Sequence, residues 1–247
     1  MRTLTIILLA GVLAPPVAAQ SIARRVADAP DGTVRMSFAS RDGVCGNGDN
    51  ISIRDRGDSE WENDCEEGPV LVALTVRDDR ITDIKTRVGG RWRSSSRATD
   101  LGTVSAREAG EYLLELAESD HPAAEDAIFA ATIADSFTAW PGLLRIARNE
   151  SATEDARKGA IFWLGQAAGA AVTPALDSIA SNDGDREVKE SAIFALSQRP
   201  ANEGVPALIR VARTNKDPNL RRTALFWLSQ SKDPRALDLF EELLTDS

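Results

Sequence analysis

From residue 105 onward the apolar positions fall at helical spacing, and the pattern repeats. The strings GAIFWLGQ from Gly159, SAIFALSQ from Ser191, TALFWLSQ from Thr223 and a weaker DAIFAATI from Asp126 align, with Ala127, Ala160, Ala192 and Ala224 spaced 33, 32 and 32 residues apart. Seven residues before each alanine stands Asp120, Thr153, Asp185 or Asp217, each able to offer a side-chain oxygen to a free N–H of a first helical turn. Pro218 suits the first helical position, where its missing N–H costs nothing. Pro141, Pro174, Pro206 and Pro234 mark where a second helix of each unit is expected to begin. Ahead of the four units, Ser105-Ala106-Arg107-Glu108 is a capping box. It opens a helix to about Glu118 that reads as the second half of an incomplete unit. A helix pair of this kind cannot bury its apolar face alone, and stacking makes one continuous core.

The first hundred residues carry a different period. Val70, Val72, Leu74 and Val76 alternate, Ile81, Ile84 and Val88 do so less regularly, and Asp78-Asp79 between them suits a hairpin turn. Residues 33–38 and 51–53 are further strand candidates. One hairpin is not stable alone, so these segments predict a small antiparallel β module. The polar stretch 91–99 reads as a linker. Before the module, Arg2, an apolar run over residues 4–13 and Val17-Ala18-Ala19 have the layout of a cleaved leader. The run is too short for an ordinary membrane span. The predicted division is a signal peptide over 1–19, the β module over 20–98 and a helical-repeat domain over 99–247. No integral membrane segment is expected after cleavage, and the compartment is periplasmic or secreted.

Charge and chemistry narrow the picture further. The formal net charge is −9, and loss of Arg2 with the leader lowers it by one more. Such a chain repels nucleic acid at long range. Cys45 and Cys65 are the only cysteines, and export predicts a disulfide between them. The alternative, a zinc site, lacks ligands, since the single histidine, His121, is distant and reads as an exposed residue after a helix cap. The acidic stretch 55–67 has oxygen ligands of the calcium type without the spacing of a calcium loop, and a solvated loop is the simpler reading. Trp61 and Trp92 either cover the module's core or form a contact site. No nucleophile elbow, phosphate loop or zinc-protease motif occurs. No catalytic residue, metal site or cofactor is therefore assigned.

The units read as an apolar residue, then a basic residue, then an alanine-rich helix. Examples are Leu220-Arg221…Ala224-Leu225…Leu228-Ser229, Ala156-Arg157…Ala160-Ile161…Leu164-Gly165 and Val188-Lys189…Ala192-Ile193…Leu196-Ser197. In this they resemble the HEAT-repeat family, in particular the short repeats of phycobilisome-lyase-like HEAT proteins, over roughly residues 105–247. The resemblance implies a mainly α fold, an α-solenoid of about four and a half HEAT-like helix pairs after the β module. It is closest in kind to exported bacterial HEAT-repeat proteins of unassigned function. Bilin-lyase activity does not carry over, because fold does not fix function.

Taking 100° per residue, Leu220, Ala224, Trp227 and Leu228 share one face, and Phe226 lies roughly 160° from its centre. Phe129, Phe162 and Phe194 align with Phe226, and Gln166, Gln198 and Gln230 follow one turn later. This outer stripe is either a docking strip for a protein or peptide partner or packing between neighbouring first helices. Trp163 and Trp227 replace a residue usually small in the family and read as core fillers. The second helices carry mixed charge, which predicts a solvated face. The leading expectation is an exported protein-interaction scaffold. The alternatives are a ligand- or envelope-glycan-binding protein using the β module, and a hydrolase built on carboxylates with raised pKa values in a cleft.

Overall fold

The structure, a computed structural model, describes residues 20–47, 50–53, 65–95, 97–119 and 121–245. The expected leader, Asp120, Trp61 and most of the acidic stretch lie outside the described residues. A short helix, α1 (Ile22–Ala27), leads into strand β1 (Gly32–Phe38). β2 (Val44–Asn47), β3 (Asn50–Ile53) and β4 (Glu66–Glu67) follow. Then come β5 (Val70–Arg77), β6 (Arg80–Val88) and β7 (Ala98–Thr103). The main sheet has the order β6-β5-β1-β7, and β3-β2-β4 form a smaller antiparallel one. Asp78 and Asp79 both take positive φ, 51° and 58°, which gives the two-residue turn the twist a hairpin needs. Val34, Met36 and Phe38 of β1 and Val70, Val72 and Leu74 of β5 alternate into the core and are fully buried.

Two features of this region differ from the sequence reading. The polar run after β6 ends in a strand, since β7 begins at Ala98 and crosses the expected 98/99 division. The sheet is also not purely antiparallel, because β7 pairs parallel to β1. β7 has one large apolar residue, Leu101, and an edge strand that buries a single side chain has no alternation to detect. Cys45 and Cys65 form the disulfide, with Cα atoms 5.3 Å apart, joining β2 to the residue before β4.

Nine helices follow among the described residues: α2 (Ala106–Ala117), α3 (Ala124–Thr132), α4 (Trp140–Arg148), α5 (Glu154–Gln166), α6 (Val172–Asn182), α7 (Arg186–Ser197), α8 (Ala201–Thr214), α9 (Pro218–Gln230) and α10 (Pro234–Thr245). Ser105, Thr153, Asp185 and Asp217 cap α2, α5, α7 and α9 through their side chains. α3 has no side-chain cap and begins at Ala124. α8 begins at Ala201, well before Pro206, which lies inside the helix. The early start depends on Gly204, where a Cβ would come within 2.2 Å of the Leu196 carbonyl oxygen. α3, α5, α7 and α9 lie side by side as first helices, and α4, α6, α8 and α10 are the second helices.

The loops between units are tied across the stack. The Asn149 side chain donates to the Glu118 carbonyl, and Asn215 donates to that of Ala180. Between them Arg157, almost fully buried, donates from Nε to the Ala147 carbonyl and pairs through Nη2 with Asp183 at 2.5 Å.

The sheet docks on the first unit. Arg41 N–H donates to the Ile133 carbonyl and Asp135 N–H to that of Ala39, both at 2.9 Å, around a bridge between Ser40 and Ala134. One apolar core therefore runs from the sheet into the repeats.

Candidate partner-binding edge

The four aligned phenylalanines do not form one uniform stripe. Phe162 and Phe226 are 43% and 55% exposed, while Phe129 and Phe194 are half-buried. Each half-buried ring packs against a tryptophan of the next first helix, Phe129 on Trp163 at 5.8 Å and Phe194 on Trp227 at 5.0 Å between centroids. Each exposed ring meets the same tryptophan edge-on, Phe162 on Trp163 at 5.2 Å and Phe226 on Trp227 at 5.1 Å. The result is two aromatic trios, one between α3 and α5 and one between α7 and α9.

Trp163 and Trp227 are half-buried at these seams, not sealed in the core as the sequence suggested. A helical wheel places a residue on a face but cannot tell a core position from the seam between two adjacent helices. Between α5 and α7 no trio exists. Ala195 occupies the tryptophan position there, and a Cβ at Gly165 would lie 3.2 Å from its Cα. The stack therefore alternates a wide seam filled by tryptophan with a tight seam lined by Gly165 and Ala195.

Gln166, Gln198 and Gln230 are exposed at the ends of α5, α7 and α9. One position earlier, Ser197 and Ser229 donate their hydroxyls back to the carbonyls of Phe194 and Phe226, both at 2.7 Å. Those hydroxyls also accept from the amides of Gln198 and Gln230, at 3.0 and 3.1 Å. Gly165 offers Gln166 no such hydroxyl.

Beside each trio the edge is hollowed. One hollow, of about 360 Å³, is lined by Trp140, Trp163, Phe137, Leu143, Gln166 and, from the β1–β2 connection, Arg41. The other, of about 250 Å³, is lined by Trp227, Gln230, Leu208, Val205, Ser197 and Arg199. Arg199 is buried and fully engaged. Its Nε donates to Thr173 Oγ1 and its Nη2 to Glu203 Oε2, both at 3.0 Å, and Nη1 donates to the Ala167 carbonyl. The Thr173 hydroxyl and then the Arg199 guanidinium hold the Glu203 carboxyl below its ordinary pKa. Sequence reasoning missed Arg199, because an arginine in the turn Gln198-Arg199-Pro200 reads as solvated.

The second-helix surface offers less. Its mixed charges are spent on one another: Arg145 pairs with Glu118 at 2.7 Å, Arg210 with Asp177 at 2.8 Å and Arg213 with Glu242 at 2.5 Å. On the β module, Trp92 is half-buried under the Arg35 guanidinium, 5.3 Å from its ring, rather than over the apolar core.

The largest hollow described, about 720 Å³, lies between α1, the β5–β6 turn and α2, and touches Tyr112 and His121. Burial, then the Glu115 charge, pushes the Tyr112 hydroxyl up to about 12. His121 is not exposed as expected. It is half-buried, its Nδ1 accepts from Ala123 N–H at 3.0 Å, and its Nε2 is buried without a hydrogen-bond partner among the described residues. Burial lowers its pKa, partly opposed by the nearby Ile81 backbone. Glu125 and Asp126 have raised pKa values, chiefly from desolvation, but lie on the exposed first turn of α3.

The fold and its edge define a class: a helical-repeat protein built of stacked antiparallel helix pairs, with a small sheet at the N-terminal end. Residues 173–247 match the family model described as HEAT repeats. Comparison with curated proteins finds no match. No helix among the described residues is long and apolar enough to cross a membrane.

Proposed function

We propose that the protein is an exported interaction scaffold that binds a protein partner along the edge formed by Phe129, Phe162, Phe194 and Phe226 with Gln166, Gln198 and Gln230. The observation that carries this reading is the exposure of Phe162 and Phe226 beside tryptophan-lined hollows, on a helical-repeat edge with aromatic rings at its wide seams. Exposed aromatic rings next to concave, partly apolar surface are the usual anchors of protein recognition. The second-helix face carries its own ion pairs, and its exposed large apolar residues, Leu237, Leu243 and Leu244, are aliphatic and confined to α10.

In this reading α2 is the half unit and α3 to α10 are four full pairs, with the sheet as an N-terminal module docked on the first of them. Export accounts for the disulfide, which persists in oxidising compartments. The mature protein is expected to begin at Gln20, which N-terminal sequencing of protein from the native host reads directly. A net charge of −9 argues against nucleic acid as the partner. The family's scaffolding habit, and a site whose groups are aromatic and amide, favour binding over catalysis.

A photo-crosslinking amino acid placed at Phe162 or Phe226 tests the assignment in living cells. Discrete adducts are expected from both positions and not from Glu241 on α10. Adducts from Glu241 alone would place the partner on the opposite face.

A further inference from the structure

We infer that the partner presents an extended segment with two bulky apolar side chains about six residues apart, the first beside a single carboxylate. This rests on the edge being the partner site and adds the partner's chemistry and register.

The two hollows are copies of one another. Trp163 and Gln166 in the first stand where Trp227 and Gln230 stand in the second, and Leu143 corresponds to Leu208. In the tight seam between α5 and α7, Ala195 replaces the tryptophan and Gly165 lies against it. The binding period is therefore two units. Adjacent packed helices lie about 8–10 Å apart, so two first-helix spacings separate the hollows by about 16–20 Å. An extended chain advances about 3.3 Å per residue with alternate side chains on the same side, which sets the two anchors six residues apart. Gln198, on the helix between them, and Gln166 and Gln230 at the hollows present amides at single-helix intervals.

The charge is asymmetric. Arg41 is the one charged side chain among the described residues lining the first hollow. In the second hollow the guanidinium of Arg199 is already matched by Glu203, Thr173 and the Ala167 carbonyl. A carboxylate is thus recognised at the first anchor only. With a net charge of −9 on the chain, a segment of many acids would be repelled before docking.

The test is selection of a random twelve-residue phage-displayed peptide library on the purified full chain with its disulfide intact. Affinities of the selected peptides are then measured by fluorescence polarisation. The expected winners share two aromatic or long aliphatic positions about six residues apart, with Asp or Glu next to one. Trp163→Ala and Trp227→Ala should each weaken them by about tenfold or more, as for central aromatic anchors. Arg41→Gln should weaken an acidic winner but not its Asn or Gln version. Phe162→Ser and Phe226→Ser, at the exposed rings, repeat the test while leaving both seam tryptophans in place. Winners sensitive to one tryptophan only would overturn the two-anchor register while leaving the edge as partner site. Winners indifferent to all four changes would overturn the register and the edge together, as would a library yielding no binder.

Discussion

Replacing Arg157 by methionine should destabilise the repeat domain far more than removal of a surface charge. Arg157 is 6% exposed, its Nη2 lies 2.5 Å from Asp183 Oδ2, and its Nε donates to the Ala147 carbonyl at the end of α4. The methionine keeps most of the aliphatic stem, so the loss is electrostatic and not a cavity. It strands the Asp183 carboxylate, which keeps only the Asp185 N–H on its other oxygen, and leaves one buried carbonyl unpaired. Breaking a buried pair from one side costs about 3–5 kcal/mol. A chain of this length loses about 2–4 °C of Tm per kcal/mol, so the expected fall is about 6–20 °C. Urea unfolding followed by circular dichroism supplies the free energy. Asp183→Asn, and the double variant Arg157→Met with Asp183→Asn, complete a thermodynamic cycle. The double variant should be more stable than the sum of the single losses implies, because no charge is left stranded. A loss below about 1 kcal/mol for Arg157→Met, or strict additivity across the cycle, would refute the idea that this pair acts as a unit.

Three further outcomes are expected. Replacing both Cys45 and Cys65 by serine opens a link spanning a sequence separation of 20 and should cost about 3 kcal/mol in chemical denaturation; no change would mean the module is held without it. His121 has a lowered pKa when folded, from an ordinary 6.5, so the unfolded chain takes up a proton first as pH falls. Its contribution to stability is complete above about 6.5 and declines below that. His121→Gln should therefore flatten the stability profile between about pH 7 and 5, and an unchanged slope would show that His121 does not contribute to it. Gly165→Val forces a Cβ to 3.2 Å from Ala195 and should cost about 1–3 kcal/mol. Ser229→Val, at the equivalent but exposed position, should cost less than about 0.5 kcal/mol, and equal losses would show that the close approach of Ala195 is not what makes Gly165 necessary.

The repeat was legible because its period, caps and alanines are local properties of the chain. So were β1, β5 and β6, whose alternation survives burial on one face, and the disulfide, since two cysteines leave a single pairing. What the sequence hid depends on contacts between distant segments. β7 is a strand because β1 lies beside it, not because ATDLGT has strand character. Pro206 stays inside α8 because Gly204 lets that helix start against the end of α7. Trp163 and Trp227 looked like core residues because an apolar face at helical spacing includes both the core and the seams. Arg199 and His121 were hidden for the same reason, since burial at a turn is decided by what packs over it. The Phe and Gln positions could be read from the chain, whereas their division into two trios follows from Ala195 and Gly165 closing the seam between.

That alternation fixes how the molecule can be lengthened. A designer who appends one helix pair after α10 would set two like seams side by side and lose the spacing of the hollows. A block of two pairs, such as residues 183–247, keeps the rhythm and adds a third hollow in phase with the others. The junction then has to close α9 against a copy of α7, whose Ala195 lies against a glycine, Gly165, in the existing tight seam. Ser229 stands at that position, so a seamless extension calls for Ser229→Gly at the splice and serine again at the new end.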